Sequence, residues 1–177
     1  EEMAEFITKR EDVHQILKML TRQNAFVTCL NDGQTYRFHH MMKECAFRAF
    51  RTLDDSRQAF YYERYGAWYE KHGAYIHALS AYWRNQNFAA ILRVVQKDAG
   101  ILLASLKPEE VLEVLNRCPV SVLKEYPLAI LVLMRCMFNW KNIPKMLELK
   151  ELLLASIREH PKLSEEERGN LLGECDL

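Results

Sequence analysis

Two adjacent histidines, His39 and His40, are the residues best suited to bind a metal ion. Imidazole is the commonest protein ligand for transition metals. Adjacent residues of a helix project about 100° apart, however, so both rings do not easily reach one ion. The remaining histidines show no zinc-binding spacing such as HExxH. The sequence therefore predicts no metal site, and we expect His39 and His40 to pack between structural modules.

A run of aromatic residues offers ring faces that stack on nucleobases or sugars. Its members are Phe60, Tyr61, Tyr62, Tyr65, Trp68 and Tyr69. Residues three, four and seven positions apart share one face of a helix, and such a stripe is more often packed between helices than free for a ligand. We therefore expect Tyr65 and Trp68 to pack across modules, and a ligand-binding role for some of the other rings stays open.

No enzyme motif is recognisable. The chain has no nucleophile elbow and no Ser-His-Asp order, and its six glycines leave no material for a phosphate-binding loop. Three consecutive acids, Glu165, Glu166 and Glu167, are explained as the solvated first turn of a helix. We therefore expect no enzymatic activity and no cofactor within this chain.

The amino-acid composition further limits the possible classes of protein. Basic and acidic residues number 24 each, so no charge excess favours nucleic acid as a partner of the whole surface. The five cysteines form no CxxC pair and indicate reduced, mostly buried thiols of a cytoplasmic protein. No apolar run is long enough to cross a bilayer, so we expect no membrane partner. The chain does not begin with methionine, and we expect both ends to have been cut from a longer protein.

Residues 1–53 predict a helical segment, a β-hairpin and a further helix. Strand-forming residues at 25–30 and 35–38 flank the turn signal Asn31-Asp32-Gly33-Gln34. This order is typical of the trailing part of a winged helix, in which the hairpin is the wing. Basic residues here alternate with acidic ones, so no basic stripe for DNA forms. We expect this module to serve in packing.

Residues 54–177 predict a helical array. Tyr62-x-x-Tyr65-Gly66-x-x-Tyr69 followed by Ala78-x-x-x-Tyr82 is close to the tetratricopeptide signature. Small residues let helices approach closely, so we expect residues 55–72 and 74–86 to form an antiparallel pair in which Gly66 meets Ala78. The fold class predicted is mainly α: a winged-helix remnant with one β-hairpin, followed by a tetratricopeptide-like antiparallel helical superhelix.

The later residues continue this pattern. Proline and acids at 107–110 open a helix, and 128–141 predict the most apolar helix, whose burial we expect to be nearly complete. We expect a bend at Gly100, a helical run at 101–106 and a turn-like connection at 120–126.

One segment carries a family resemblance. Tyr36-Arg37-Phe38-His39-His40-Met41, preceded by Phe26-Val27 and Asp32-Gly33, resembles the YRYHHLF segment of the large ATP-dependent LuxR-type transcription regulators. Further matches in the same order are Ala67, Trp68, Tyr69, Gly73, Ala78 and Leu79, and then the stretches 111–119 and 126–131. Met41-Met42 replace the usual Leu-Phe, and Cys45 stands where a bulkier residue is common.

The resemblance implies a four-part protein: a P-loop ATPase, a winged helix, a tetratricopeptide-like sensor and a C-terminal helix-turn-helix that binds DNA. This chain would hold the end of the winged helix and the start of the sensor. ATP and DNA would be bound only by modules absent from it. A small-molecule inducer or a regulatory protein on the sensor would shift a closed monomer toward an ATP-bound oligomer.

Within the sensor, the residues we expect to contact that ligand are Tyr82, Trp83, Arg84 and Trp140. Two other interpretations stay open. The array could be a free-standing peptide-binding scaffold without a role in transcription. An enzyme would instead require a deep pocket with perturbed acids.

Overall fold

The structure is a computed structural model that describes residues 1–23, 25–98, 101, 105–159 and 163–175. This described part contains eleven α-helices and one antiparallel β-hairpin, which confirms the predicted, mainly α fold class. Within it, no helix combines the length and the apolar character needed to span a bilayer. The chain divides into two compact units, Glu1–Gly73 and Ala74–Leu177.

The first unit contains four helices and the hairpin: α1 (Glu2–Thr8), α2 (Val13–Arg22), β1 (Val27–Cys29), β2 (Tyr36–Phe38), α3 (His40–Arg51) and α4 (Asp55–Lys71). The predicted order of helical segment, hairpin and helix is confirmed. The second domain was predicted to begin at residue 54, whereas the first compact unit extends to Gly73 and includes α4. The two helices predicted to pair through Gly66 and Ala78 fall in different units, and their pairing stays a prediction.

The hairpin turn is determined by local side-chain chemistry. The Asp32 carboxylate accepts hydrogen bonds from the backbone amides of Gln34 (3.0 Å) and Thr35 (2.8 Å) and from the Thr35 hydroxyl. These bonds, above all the one from the Thr35 hydroxyl, hold the pKa of Asp32 below its usual value. Gly33 has a φ of 70°, which glycine adopts at little cost. The two strands then pair Val27 with Phe38. The residues of the hairpin themselves therefore determine the conformation of the wing.

Arg64 joins α4 to the C-terminal end of α1. Its Nε donates to the carbonyl oxygen of Ile7 at 2.9 Å, and its Nη2 donates to that of Phe6. The guanidinium also lies 4.7 Å from the centroid of the Phe6 ring. The last carbonyls of a helix lack partners within the helix, so a cation there is stabilising. One turn later in α4, Trp68 packs its ring against Phe6 at 5.3 Å between centroids.

Helix α3 carries apolar side chains that are largely open to solvent. None of its residues, all of which the structure describes, is buried. Met41 is 56% exposed and Phe47 is 44% exposed. The Arg51 guanidinium covers Phe47 at 4.4 Å from the ring centroid. Phe50 packs edge-on against Tyr62 of α4 at 5.3 Å between ring centroids, so α3 has one packed side.

The described residues of the second unit form seven helices: α5 (Tyr75–Arg84), α6 (Phe88–Lys97), α7 (Pro108–Arg117), α8 (Val120–Lys124), α9 (Pro127–Asn139), α10 (Ile143–Glu159) and α11 (Glu165–Cys175). Its core surrounds α9, in which Ile130 and Met137 are fully buried. Leu149 and Leu153 of α10 complete this core. The most apolar helix was predicted at 128–141 and does form the centre of this core. Its burial is less complete than predicted, because Leu128 and Phe138 are exposed.

The connection predicted at 120–126 is wrong over residues 120–124, which form α8. The Pro119 carbonyl accepts hydrogen bonds from the amides of Val122 and Leu123, so the proline that ends α7 also begins the next turn. The buried Ser156 of α10 donates its hydroxyl to the Lys124 carbonyl at 2.6 Å and anchors the end of α8. The bend predicted at Gly100 and half of the helical run predicted at 101–106 lie outside the described residues.

Replacing Arg64 tests the attachment of α1 to α4. Arg64→Ala preserves helix propensity but removes two charge-assisted bonds to α1, so we expect α1 to be destabilised by about 1.5–3 kcal/mol. Hydrogen exchange measured by mass spectrometry on peptides that span α1 should accelerate at least about tenfold. The matched control is Arg57→Ala on the same helix, whose exposed ion pair with Asp54 (3.4 Å) should matter little. Equal exchange in the two variants would contradict this role of Arg64.

Candidate ligand-binding site

Helix α5 presents two different faces. Residues on one stripe line a cavity, namely Ile76, Leu79, Ser80 and Trp83. These positions are three, four and seven residues apart, which places them on one side of the helix. The opposite face carries Ala78, Ala81 and Tyr82, all of which are buried. Helix α5 therefore contributes one face to the core and the other to the cavity.

Two further helices and the core complete the cavity. Helix α6 contributes Ile91, Leu92 and Val95, and Leu133 of α9 contributes from the core. The wall on the α7 side consists of Glu110, Val111, Glu113 and Val114 of that helix, together with Leu106, which lies two residues before Pro108. The cavity measures about 380 Å³, within the range of small-molecule sites.

Trp83 connects the three helices that surround the cavity. Its ring packs edge-on against Phe88, the first residue of α6, at 6.1 Å between centroids and 77° between planes. From α7, the Arg117 guanidinium lies 5.4 Å from the Trp83 ring centroid. The same guanidinium is 3.6 Å from the carboxylate of Glu113, four residues earlier. The indole therefore contacts α6 through an aromatic ring and α7 through a cation.

The α7 wall carries the ionisable groups of the lining. Pro108 occupies the first position of α7, and the Glu110 carboxylate accepts a hydrogen bond from the Lys107 amide at 3.2 Å. This bond satisfies an amide that the helix itself leaves without a partner, and it orients the Glu110 side chain. Glu113 lies one turn later, so both carboxylates belong to the same part of the cavity wall.

The four predicted ligand residues have different environments. Trp83 lines the cavity. Tyr82 is fully buried, and its hydroxyl accepts a hydrogen bond from Arg93 at 3.4 Å. Arg84 is exposed at the end of α5, and the half-buried Trp140 packs against the core around α9. The described lining includes Trp83 but none of the other three, so their role in binding stays a prediction.

The aliphatic part of the cavity lining was not predicted from the sequence. Ile76 and Leu79 on α5, and Val111 and Val114 on α7, follow helical spacing that was available from the sequence. The spacing marks an apolar face but does not show whether that face fills the core or borders a cavity.

The four residues predicted to pack between modules all lie in the first unit. The His39 imidazole caps α3 by accepting a hydrogen bond from the Met41 amide at 3.4 Å, and its ring lies 4.1 Å from that of His40. Tyr65, 41% exposed, contacts the Tyr69 ring. Trp68 lies between Phe6 and the His72 ring, which is 4.1 Å away. Among the residues described, no cluster of three His, Cys, Asp or Glu could hold a metal ion.

Comparison with known proteins identifies the first third of the chain. Residues 1–59, out of 177, match the family model of the MalT winged helix domain. The match confirms the predicted winged helix and supports a fragment of a MalT-like regulator. No curated protein and no solved structure matches the chain.

The cysteines provide a test of the packing at the end of α7. Cys118 caps that helix and is buried, and burial raises the pKa of its thiol to about 11. Cys45 of α3 is exposed. The thiolate is the reactive species, so at pH 8 Ellman's reagent should label Cys45 in the native protein but Cys118 only after unfolding.

Two serine variants show which cysteine each phase of the labelling reaction comes from. Cys45→Ser should remove a fast phase of labelling, whereas Cys118→Ser should leave the native phases unchanged. A fast phase that disappears in Cys118→Ser would show that the end of α7 is open to solvent.

Proposed function

We propose that this chain is the regulatory part of a MalT-like transcription activator and that its second unit binds a small effector. The observation that carries the proposal is the cavity between α5, α6 and α7, in a chain whose first 59 residues are similar to the MalT winged helix domain. In this proposal the ATPase and the DNA-binding domain lie outside the chain, and the chain itself catalyses no reaction. Its location would be the cytoplasm, where transcription takes place.

The position of the cavity suits an effector site. Its lining comes from three helices and the core helix α9, so a bound molecule would fix the distances between them. A ligand shifts an equilibrium between two states only when it binds one state more tightly. A site shared by several helices has this property, because any change in their spacing changes the fit of the ligand. Effector binding would thereby favour one arrangement of the array over another.

The winged helix would relay this change. Met41 and Phe47 on α3 are large apolar residues that solvent reaches. Exposed apolar side chains of this kind are suited to contact another module. Arg51 lies against the Phe47 ring and adds a positive charge beside it. In this account α3 is the surface through which the array communicates with the ATPase.

A peptide-binding scaffold without a role in transcription is the second candidate. The exposure of Ile76, 49% in the cavity wall, favours it because a side chain of a partner could enter there. The two functions differ in the cell, since only the first one links the cavity to gene expression.

Filling the cavity tests the proposal. In the native host, Val114→Phe in the full-length gene should place a ring inside the cavity and exclude the effector. We expect the transcript profile of this strain to lose the induction of a defined set of genes. Val120→Phe is the matched control, because Val120 is exposed on α8 and does not line the cavity.

A screen on the purified chain completes the test. A metabolite that binds the cavity should raise the melting temperature with dose, since stabilisation grows with the ratio of ligand concentration to dissociation constant. The effect should be weaker in Val114→Phe and intact in Val120→Phe. If Val114→Phe folds normally and leaves the transcript profile unchanged, the effector role of the cavity is wrong.

A further inference from the structure

The lining of the α5–α6–α7 cavity is almost entirely hydrocarbon. Aliphatic side chains predominate, and Trp83 adds an aromatic face. The polar side chains of the lining are Ser80, Glu110 and Glu113. Glu110 is engaged by the Lys107 amide at 3.2 Å. A sugar or a nucleotide needs many hydrogen-bond partners when it leaves water, and this lining provides few. The interior therefore suits an apolar molecular body.

The described ionisable side chains that line the cavity are both acidic. Glu110 and Glu113 are the ionisable residues of the described lining, and both are acids. They are three residues apart, which places them next to each other on one face of α7. Both of them would repel a carboxylate or phosphate on the ligand, and Arg117 beside Glu113 offsets part of that repulsion. A positive charge on the ligand would be attracted.

The protein itself holds a cation at this wall. The Arg117 guanidinium lies 5.4 Å from the Trp83 ring centroid and 3.6 Å from the Glu113 carboxylate. The face of an indole attracts cations, and a nearby carboxylate adds to that attraction. The Arg117 and Glu113 side chains are 58% and 56% exposed, so their ion pair is weak and a ligand cation can compete for the same groups.

We propose that the cavity binds a small molecule with an apolar body and a single positive charge, that is, a hydrophobic amine. The apolar body contacts Trp83, Val114 and Leu133, and the ammonium group lies against the Glu110 and Glu113 carboxylates. This inference rests on the proposed function, which makes the cavity an effector site, and it names the chemical class of that effector.

Three probes with the same alkyl chain and different head groups measure the effect of ligand charge on binding. Isothermal titration calorimetry of the full chain with n-octylamine, n-octanol and n-octanoate at pH 7 compares a positive, a neutral and a negative head group. We expect octylamine to bind about fivefold more tightly than octanol, which corresponds to one solvent-exposed ion pair, and octanoate to bind more weakly than octanol.

Variants locate the effect. Glu110→Gln and Glu113→Gln together should abolish the preference for octylamine while octanol binds as before. Glu109→Gln is the matched control, since Glu109 is a neighbouring acid of α7 outside the described lining. Val114→Phe should weaken all three probes. Octanoate binding as tightly as octylamine, or a preference that survives the loss of both glutamates, would overturn the proposal.

The two proposals fail in different experiments. If the wild type binds none of the three probes while another metabolite raises the melting temperature, the amine class is wrong and the effector site stands. If octylamine binds as expected but Val114→Phe leaves the transcript profile unchanged, the chemistry of the cavity stands and the regulatory role is wrong.

Discussion

The contacts of Trp83 determine whether the second unit has a cavity. Phe88 holds one edge of the indole and the Arg117 guanidinium lies near its ring, so α6 and α7 both meet α5 at this residue. A bulky ring at the junction of three helices keeps their smaller neighbours from closing the space between them. Leu133, from the buried side of α9, supplies a rigid base. The cavity thus depends on one large side chain above a dense core.

The sequence predicted the structural features that are determined by neighbouring residues of the chain. Asp32 and Gly33 predict the turn of the wing because their own bonds and backbone angles form it. Pro108 and the acids behind it predict the start of α7 for the same reason. Ser164 and Glu167 exchange the hydrogen bonds of a capping box at the start of α11, as their spacing indicates.

Features that depend on contacts between residues far apart in the sequence could not be predicted from local patterns. Helix α8 requires Ser156, 32 residues beyond Lys124, to hold its end. The sequence predicts α3 as a helix, but the exposure of its side chains depends on what lies opposite. Met41 and Phe47 are exposed, whereas Phe50 packs against Tyr61 and Tyr62 of α4. The cavity was missed because periodicity marks an apolar face without showing how closely the facing helices approach. Trp83 was predicted to contact a ligand because of its residue type. The same reasoning also selected its neighbours Tyr82 and Arg84, which do not line the cavity.

The central claim is that a cavity lined by hydrocarbon exists beside Trp83, and xenon tests it directly. Xenon enters dry apolar cavities and scatters X-rays strongly. A crystal of the full chain pressurised with xenon should show a xenon atom between Trp83, Val114 and Leu133, and the atom should be absent from Val114→Phe. Helices α5 and α7 in direct contact, with no xenon between them, would contradict the account.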